Sequence, residues 1–193
     1  MAGRPRIFDE ETALKKAAGL FWERGYEATS TENLIEKMGV QRGSFYHAFN
    51  SKKALFQSAL AYHEEASLNE LRKLLKASTT PIQVIKSIFL GIADCHPHEH
   101  KKGCFAGNTV AELSSVDEDL VENAKKYLKD LEEIFYKQIK LSQETGELKT
   151  RIEAKLLSRY LLNLWNGINL TRRIYPGKQA LLGVIELHLE ILK

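Results

Sequence analysis

This 193-residue sequence lacks the features that identify several classes of protein. No run approaches the roughly 18–20 consecutive apolar residues of a membrane span, so we expect neither a transmembrane segment nor a membrane partner. The first 20 residues include Asp9, Glu10 and Glu11 and have no apolar core, so we expect no secretory signal. Two cysteines, Cys95 and Cys104, are too few for a disulfide framework, which favours a reduced cytoplasmic protein.

Catalytic and cofactor motifs are lacking as well. The sequence contains no G-x-S-x-G, no P-loop, no H-E-x-x-H and no G-x-G-x-x-G. Its acidic residues are spread along the chain, where they favour ion pairs between neighbouring helical turns over catalysis. We therefore expect no enzyme activity and no cofactor. The formal net charge of +3 is too small to identify a polyanionic partner, so charge has to be judged by location.

Apolar residues recur at helical spacing between the four prolines, and no alternating run of β-branched residues predicts a strand. Patterns of the S/T-x-x-E/Q type at Thr29, Thr80 and Thr150 predict helix starts, and Gly25 and Gly39 predict helix ends. The sequence therefore predicts an all-α fold of about nine helices. They span residues 9–24, 31–38, 42–48, 52–76, 81–94, 104–113, 117–144, 151–174 and 178–192.

The first three predicted helices are joined by turns of three to six residues, and the second and third are shorter than any helix that follows. The second and third meet across Gly39 and are backed by the first, which is typical of a helix-turn-helix. The stretch 37–56 carries four basic side chains and no acidic one. Side chains suited to groove edges and phosphates face outward from 41–48: Gln41, Arg42, Ser44, Tyr46 and His47. The alternative is an αα-hairpin with a solvated polar face.

Two further basic segments flank this unit. Lys52 and Lys53 open the next predicted helix, where free amides and cationic side chains together favour a phosphate. Arg4-Pro5-Arg6 forms a short basic arm ahead of the first helix, suited to a minor groove. Both segments favour duplex DNA as a partner.

Residues 29–55 read TSTENLIEKMGVQRGSFYHAFNSKKAL and resemble the DNA-binding signature of TetR-family regulators. A small residue, an aromatic pair and then His-x-Phe-x-x-Lys recur in that family with this spacing. The resemblance implies a double-stranded DNA operator as partner, with Arg42 as the candidate for a bidentate guanine contact. The implied base contacts come from Gln41, Arg42 and Ser44, the close approach from Gly43, and the phosphate contacts from Thr31, Tyr46, His47 and Lys52.

The resemblance also implies two domains, a helix-turn-helix DNA-binding domain over residues 1–51 and an effector-binding and dimerisation domain over 52–193. Helix 178–192 carries apolar residues on nearly every side, and a helix that is apolar all round is buried all round. We therefore expect a homodimer, with its two heads about 34–36 Å apart on successive major grooves. Similar proteins pair through their last two long helices as a four-helix bundle. An ordinary core helix is the alternative.

A body of this size exceeds what dimerisation needs, and the resemblance implies that it encloses a small-molecule effector. Such a ligand would change the spacing of the heads by binding one conformation more tightly, with helix 52–76 as the connecting rod. The candidate lining residues are Phe89, Phe105, Tyr127, Tyr136, Trp165 and Asn169. The alternative is that these side chains are ordinary core.

The segment 95–104 holds two cysteines and three histidines. Such donors suit a tetrahedral zinc or copper site. Their spacing matches no standard ligand motif, however, and Pro97 with its charged neighbours favours an exposed loop. We therefore assign no metal site.

Residues from Gly103 and Cys104 onward resemble the start of the sixth helix in the N-ethylmaleimide-responsive repressors of the same family, which implies that Cys104 responds to electrophiles. A thiol at a helix N-terminus beside Lys101 and Lys102 is expected to have a lowered pKa. The alternative is a small buried cysteine at a tight helix start.

These patterns together predict a homodimeric, ligand-responsive repressor. It would read a palindromic operator through helix 42–48 and be released by a small-molecule or electrophile effector. The competing hypothesis is a helical interaction module that does not bind DNA.

Overall fold

The computed structural model describes residues 9–175 and 177–193, and every regular element within them is helical. The prediction of an all-α fold is therefore confirmed, whereas the predicted arm Arg4-Pro5-Arg6 lies outside the described residues. Two short 3₁₀ segments, Ile92–Asp94 and Glu190–Leu192, follow α5 and α10. The α-helices are α1 (Glu10–Arg24), α2 (Thr31–Met38), α3 (Arg42–Phe49), α4 (Lys52–Ala77), α5 (Pro81–Gly91), α6 (Pro97–Lys102), α7 (Phe105–Leu113), α8 (Glu118–Glu144), α9 (Ala154–Thr171) and α10 (Lys178–Leu189). Among these helices, none combines the length and the apolar composition that crossing a bilayer demands.

The start of α2 lies where predicted, but a different hydroxyl caps it. The Oγ atom of Ser30 accepts a hydrogen bond from the backbone N–H of Asn33 (3.1 Å), and the Ser30 N–H donates to Asn33 Oδ1 (3.2 Å). This pairing satisfies two amides that the helix leaves without partners. Thr29 instead is buried and donates its hydroxyl to the carbonyl of Gly25 (2.6 Å), so the predicted cap at Thr29 is wrong.

The capping boxes predicted at Thr80 and Thr150 are also wrong. Pro81 occupies the first turn of α5 as predicted, but the Thr80 hydroxyl makes no capping hydrogen bond. Helix α9 begins at Ala154, three residues later than predicted. The Gln143 amide donates to the carbonyls of Thr150 (3.0 Å) and Ile152 (2.8 Å), which holds that segment outside the helix.

Residues 97–102 form α6, a short helix where the sequence predicted an exposed loop. The ring of His96 caps this helix, with Nδ1 accepting from the backbone N–H of His98 (3.2 Å). His100 is buried, which an exposed loop would not allow. The segment is therefore packed into the body.

Two hydrophobic clusters divide the interior. The cluster of the body joins α4, α5, α8, α9 and α10 around fully buried side chains such as Phe89, Phe135 and Leu161. The other cluster contains the buried faces of α1, α2 and α3, and it continues through Phe56 of α4 into Phe105 of α7. Burying each such side chain contributes about 1.5–3 kcal/mol. The head, formed by α1–α3, is therefore packed onto the body rather than hung from a linker.

A carboxylate reinforces this junction between head and body. Glu112, near the end of α7, accepts hydrogen bonds from the backbone N–H groups of Tyr26 (3.2 Å) and Glu27 (2.9 Å) in the loop after α1. It fills the space beside Gly25, where φ is +84° and a Cβ atom would lie 2.7 Å from Glu112 Oε2. Glycine is required here by both the backbone angle and the close approach.

Candidate DNA interface and effector cavity

The exposed face of α3 collects most of the predicted DNA contacts. Phe45 and Phe49 are buried against the rest of the head and fix the orientation of the helix. Ser44 is half-buried on α3, and Thr31 is half-buried at the first position of α2. The exposed predicted contacts are Gln41, Arg42, Gly43, Tyr46 and His47. The structure thus presents a polar surface at α3, while the individual base and phosphate contacts stay predictions.

Arg42 is held only loosely in the free protein. Its guanidinium lies 3.5 Å from the carboxylate of Glu32 and 5.8 Å from the ring of Tyr46. Both members of the ion pair are 68% exposed, so the pair is worth no more than about 1 kcal/mol. A guanine edge, which offers two acceptors to the planar fork, can therefore displace Glu32 at small cost.

Lys52 makes structural contacts that the sequence did not predict. Its ammonium donates hydrogen bonds to the carbonyls of Tyr26 (3.0 Å) and Thr29 (3.1 Å) and lies 4.1 Å from the centre of the Tyr26 ring. These contacts hold the loop between α1 and α2 against the start of α4. An ammonium has three N–H donors, and the two carbonyls accept from two of them. The predicted phosphate contact would therefore have to use the third.

A cavity of about 580 Å³ lies in the body between α4, α5, α7, α8 and α9. Phe89 and Tyr136 are not among its lining residues: the Phe89 ring is buried behind the wall, 5.9 Å from Trp165, and Tyr136 packs beneath the ammonium of Lys155 (5.5 Å). The predicted effector contacts that do line it are Cys104, Phe105, Tyr127, Trp165 and Asn169. Contact with an effector stays a prediction for all seven.

Two buried charged residues of the wall, Glu64 and Arg172, were not predicted from the sequence. Glu64 on α4 is 6% exposed, and burial raises the pKa of its carboxyl to about 8. Arg172, just after α9, is 5% exposed and donates from Nη2 to the carbonyl of Gly103 (3.0 Å). The signal for Glu64 was present, since it stands four residues after Leu60 and four before Leu68 on the buried face of α4.

Two family models match most of the chain. The model for bacterial regulatory proteins of the tetR family matches residues 13–59, which contain the helix-turn-helix. The model for the tetracyclin repressor-like C-terminal domain matches residues 83–186, more than half of the chain. The chain belongs to the TetR family of bacterial transcriptional regulators. The predicted class, a DNA-binding transcriptional repressor of this family, is thereby confirmed, and the family is one of regulators rather than enzymes.

Relatives of this TetR-family chain span most of its length. The HTH-type transcriptional repressor ComR of Escherichia coli (strain K12) is 28% identical over 173 residues, which cover 89% of this chain and 82% of ComR. The uncharacterized HTH-type transcriptional regulator YezE of Bacillus subtilis (strain 168) is 30% identical over 161 residues, 82% of this chain and 83% of YezE.

Solved structures of TetR-family proteins share the fold. A cysteine variant of CifR, complexed with 26-bp double-strand operator DNA, is similar with a TM-score of 0.87 and 24% identity, covering 99% of this chain and all of that one. The reduced form of E. coli NemR is similar with a TM-score of 0.84 and 23% identity, covering 95% and 96% of the two chains. At these identities the likeness establishes the fold alone.

In this TetR-family chain, the pKa of the Cys104 thiol is shifted in the direction opposite to the one expected from the sequence. The thiol is 8% exposed at the start of α7, and burial raises its pKa, although the Gly107 N–H donates to Sγ (3.4 Å) and opposes the shift. Of the two neighbouring lysines, Lys102 is paired with Glu99 (2.8 Å) and Lys101 is exposed. The expected lowering of the Cys104 pKa is therefore wrong, while a response to electrophiles stays a prediction.

The structure does not bring the cysteines and histidines of the segment 95–104 together. Cys95 accepts a weak hydrogen bond from Arg172 Nη1 (3.9 Å), His98 is exposed and His100 is buried. Across residues 9–175 and 177–193, no three side chains of the His, Cys, Asp and Glu types come together as metal ligands.

Proposed function

We propose that the protein is a homodimeric repressor that binds a palindromic operator through α3 and releases it when a small molecule occupies the cavity of the body. The observation that carries the proposal is the exposed polar face of α3, set on a packed head whose stretch 37–56 contains no acid. The likeness in fold to CifR, which was solved in complex with double-strand operator DNA, supports DNA as the partner. The second helix of a helix-turn-helix enters the major groove, which would be the place of α3.

Exposed apolar side chains on the last two helices support the homodimer. Leu156 and Leu170 of α9 are 59% and 61% exposed, and Val184 and Leu187 of α10 are 50% and 71% exposed. Large contiguous apolar patches are uncommon on monomers, because leaving them in water is unfavourable. Pairing α9 and α10 of two copies would cover these side chains, and the twofold axis would set two α3 helices on one face of the duplex.

A shared backbone carbonyl supports release by a ligand of the cavity. The carbonyl of Gly103 accepts hydrogen bonds from Arg172 Nη2 (3.0 Å) in the cavity wall and from Trp22 Nε1 (3.2 Å) of α1 in the head. A ligand that draws Arg172 toward itself would loosen this carbonyl and with it the anchor of α1. The ligand acts only if it binds the displaced arrangement more tightly.

The test is selection of bound duplexes from random DNA with the purified protein, followed by shift assays on the selected site. We expect a palindrome whose half-sites are centred about one helical turn apart. Arg42→Ala should lose about 1–3 kcal/mol of discrimination at one base pair of each half-site. Arg151→Ala removes the same charge from an exposed position of the body and is the matched control.

Two outcomes would contradict the proposal. Enrichment of no sequence would favour a helical interaction module without DNA binding. Equal loss of affinity from Arg42→Ala and Arg151→Ala would mean that α3 does not read the bases.

A further inference from the structure

Glu64 is a buried acid in the wall of the cavity. Its side chain lines the cavity from α4 and is 6% exposed. Within the described residues, its Oε1 atom has no hydrogen-bond partner. Buried carboxyl groups are normally paired or hydrogen-bonded, because the folded state otherwise loses the water that solvated them. Oε1 of Glu64 is therefore available to a polar or charged group of a ligand in the cavity.

The two cations near the cavity have partners within the chain, although Nε of Arg172 has none among the described residues. Lys102 pairs with Glu99 (2.8 Å), and Arg172 donates to the Gly103 carbonyl (3.0 Å) and toward Cys95 (3.9 Å). Burial is the cause of the raised Glu64 pKa, with no opposing contribution from either cation. Among the lining residues, the wall carries three glutamates against one arginine: Glu64, Glu70, Glu99 and Arg172.

The ionisable groups that face Glu64 do not provide a counter-ion either. His63 adjoins it on α4, and burial lowers the pKa of that imidazole and favours its neutral form. Cys104 on α7 and Tyr127 on α8 have pKa values that burial raises, so both are neutral near pH 7. These three neighbours of Glu64 are therefore neutral, and Arg172 is the one buried cation among the lining residues of the cavity.

Aromatic side chains also line the cavity, beside several aliphatic ones. The indole and phenyl rings that line the cavity offer flat, electron-rich faces, and such faces attract organic cations at about 6 Å or less. These rings belong to Phe105, Tyr127, Phe135 and Trp165. The ring of Trp22 lines the cavity as well, but the ammonium of Lys102 already lies 5.2 Å from its centre. The volume of about 580 Å³ suits a compact ligand of drug size or smaller.

We propose that the cavity binds a compact organic cation, a protonated amine or quaternary ammonium group on an apolar body, with Glu64 as its counter-ion. The inference rests on the proposed function in taking this cavity as the effector site. Binding would draw the carboxyl proton of Glu64 into solvent, so that an ammonium–carboxylate pair replaces the neutral acid. The apolar body of the ligand would lie against the aromatic rings.

The test compares 2-phenylethylamine with 2-phenylethanol, which have nearly the same shape but differ in charge. Calorimetric titration of the full-length protein at about pH 8 should give at least tenfold tighter binding of the amine. Glu64→Gln should reduce this preference to near unity, and Glu65→Gln, at the exposed neighbouring position, should retain it. Glu64→Leu continues the leucine stripe of α4, and is the second variant in case the buried amide hinders folding.

A proton count gives an independent readout. Below the pKa of Glu64, binding of the amine should release close to one proton, measured from the dependence of the heat on the ionisation enthalpy of the buffer. The affinity should fall by up to tenfold per unit of decreasing pH over this range. Glu64→Gln should release none.

Equal binding of the amine and the alcohol, absence of amine binding up to about 10 mM, or a preference that survives Glu64→Gln would each overturn the inference. The operator selection with the same preparation separates this failure from failure of the proposed function. If the selection yields a palindrome but the protein does not bind the amine, only the assignment of an organic cation as the ligand is disproved.

Discussion

The buried carboxyl of Glu64 makes the stability of the fold depend on pH in an unusual direction. An acid whose pKa rises on folding binds its proton more tightly in the folded state, so folding is favoured at low pH and loses stability as the pH rises. The pKa of Glu64 rises from an ordinary value near 4.5 to about 8. With about 1.36 kcal/mol per unit, the contribution of Glu64 to the free energy of unfolding falls by about 2.5 kcal/mol between about pH 5 and 7.

Urea unfolding of the wild type and of Glu64→Gln measures this loss directly. We expect the free energy of unfolding of the wild type, relative to the variant, to decrease by about 2.5 kcal/mol over that range and to level off above about pH 8. Glu65→Gln is the control for an exposed acid on the same helix, and protein concentration is held fixed because dimers unfold with concentration dependence. If the free energy of unfolding depends on pH in the same way for the wild type and for Glu64→Gln, the reasoning is refuted. Glu64 would then ionise equally well in the folded and unfolded states.

Three further predictions follow from the surface, the junction and the thiols. Leu187→Glu should lower the dimer fraction in sedimentation velocity by placing a charge on the α10 face, whereas Gln179→Glu on the same helix should not. Gly25→Ala should destabilise the fold by more than about 1 kcal/mol, measured by urea unfolding, because φ is +84° and Glu112 Oε2 lies 2.7 Å from the new Cβ. Iodoacetamide should modify Cys95 faster than Cys104 in peptide mass mapping, because Cys104 is buried and its pKa is raised; equal rates would contradict this placement.

Local chemistry explains why the helix-turn-helix was predicted almost to the residue. The apolar spacing of Leu34 and Met38, the left-handed turn at Gly39 and the aromatic residues of α3 act over a few positions, and each is visible in the sequence. The shift of the cap from Thr29 to Ser30 is a small error of the same local kind. Its cause is that Thr29 folds back onto α1, a contact that the capping pattern does not encode.

The errors at the cavity have a long-range cause. The neighbours of Cys104 in the sequence, Lys101 and Lys102, predict an activated thiol, but α8 and α9 bury the side chain in the fold. Lys52 reads as a phosphate ligand, yet its ammonium reaches two carbonyls more than twenty residues away. Glu64 reads as a solvated acid by residue type, although its position on the leucine stripe places it inside. In each case tertiary packing decides the environment.

The contacts between head and body are of the size that regulation requires. The hydrogen bonds from Trp22 to Gly103 and from the Tyr26 and Glu27 amides to Glu112 join the two parts. At about 0.5–1.5 kcal/mol each, they sum to the few kcal/mol by which an effector typically changes the affinity of a second site. The predicted domain boundary between residues 51 and 52 stays a prediction, and one hydrophobic cluster extends across it from the head into the body. Under the proposed function, a ligand that rearranges the wall near Gly103 would act directly on the position of α1. The change would not have to be transmitted along the whole of α4.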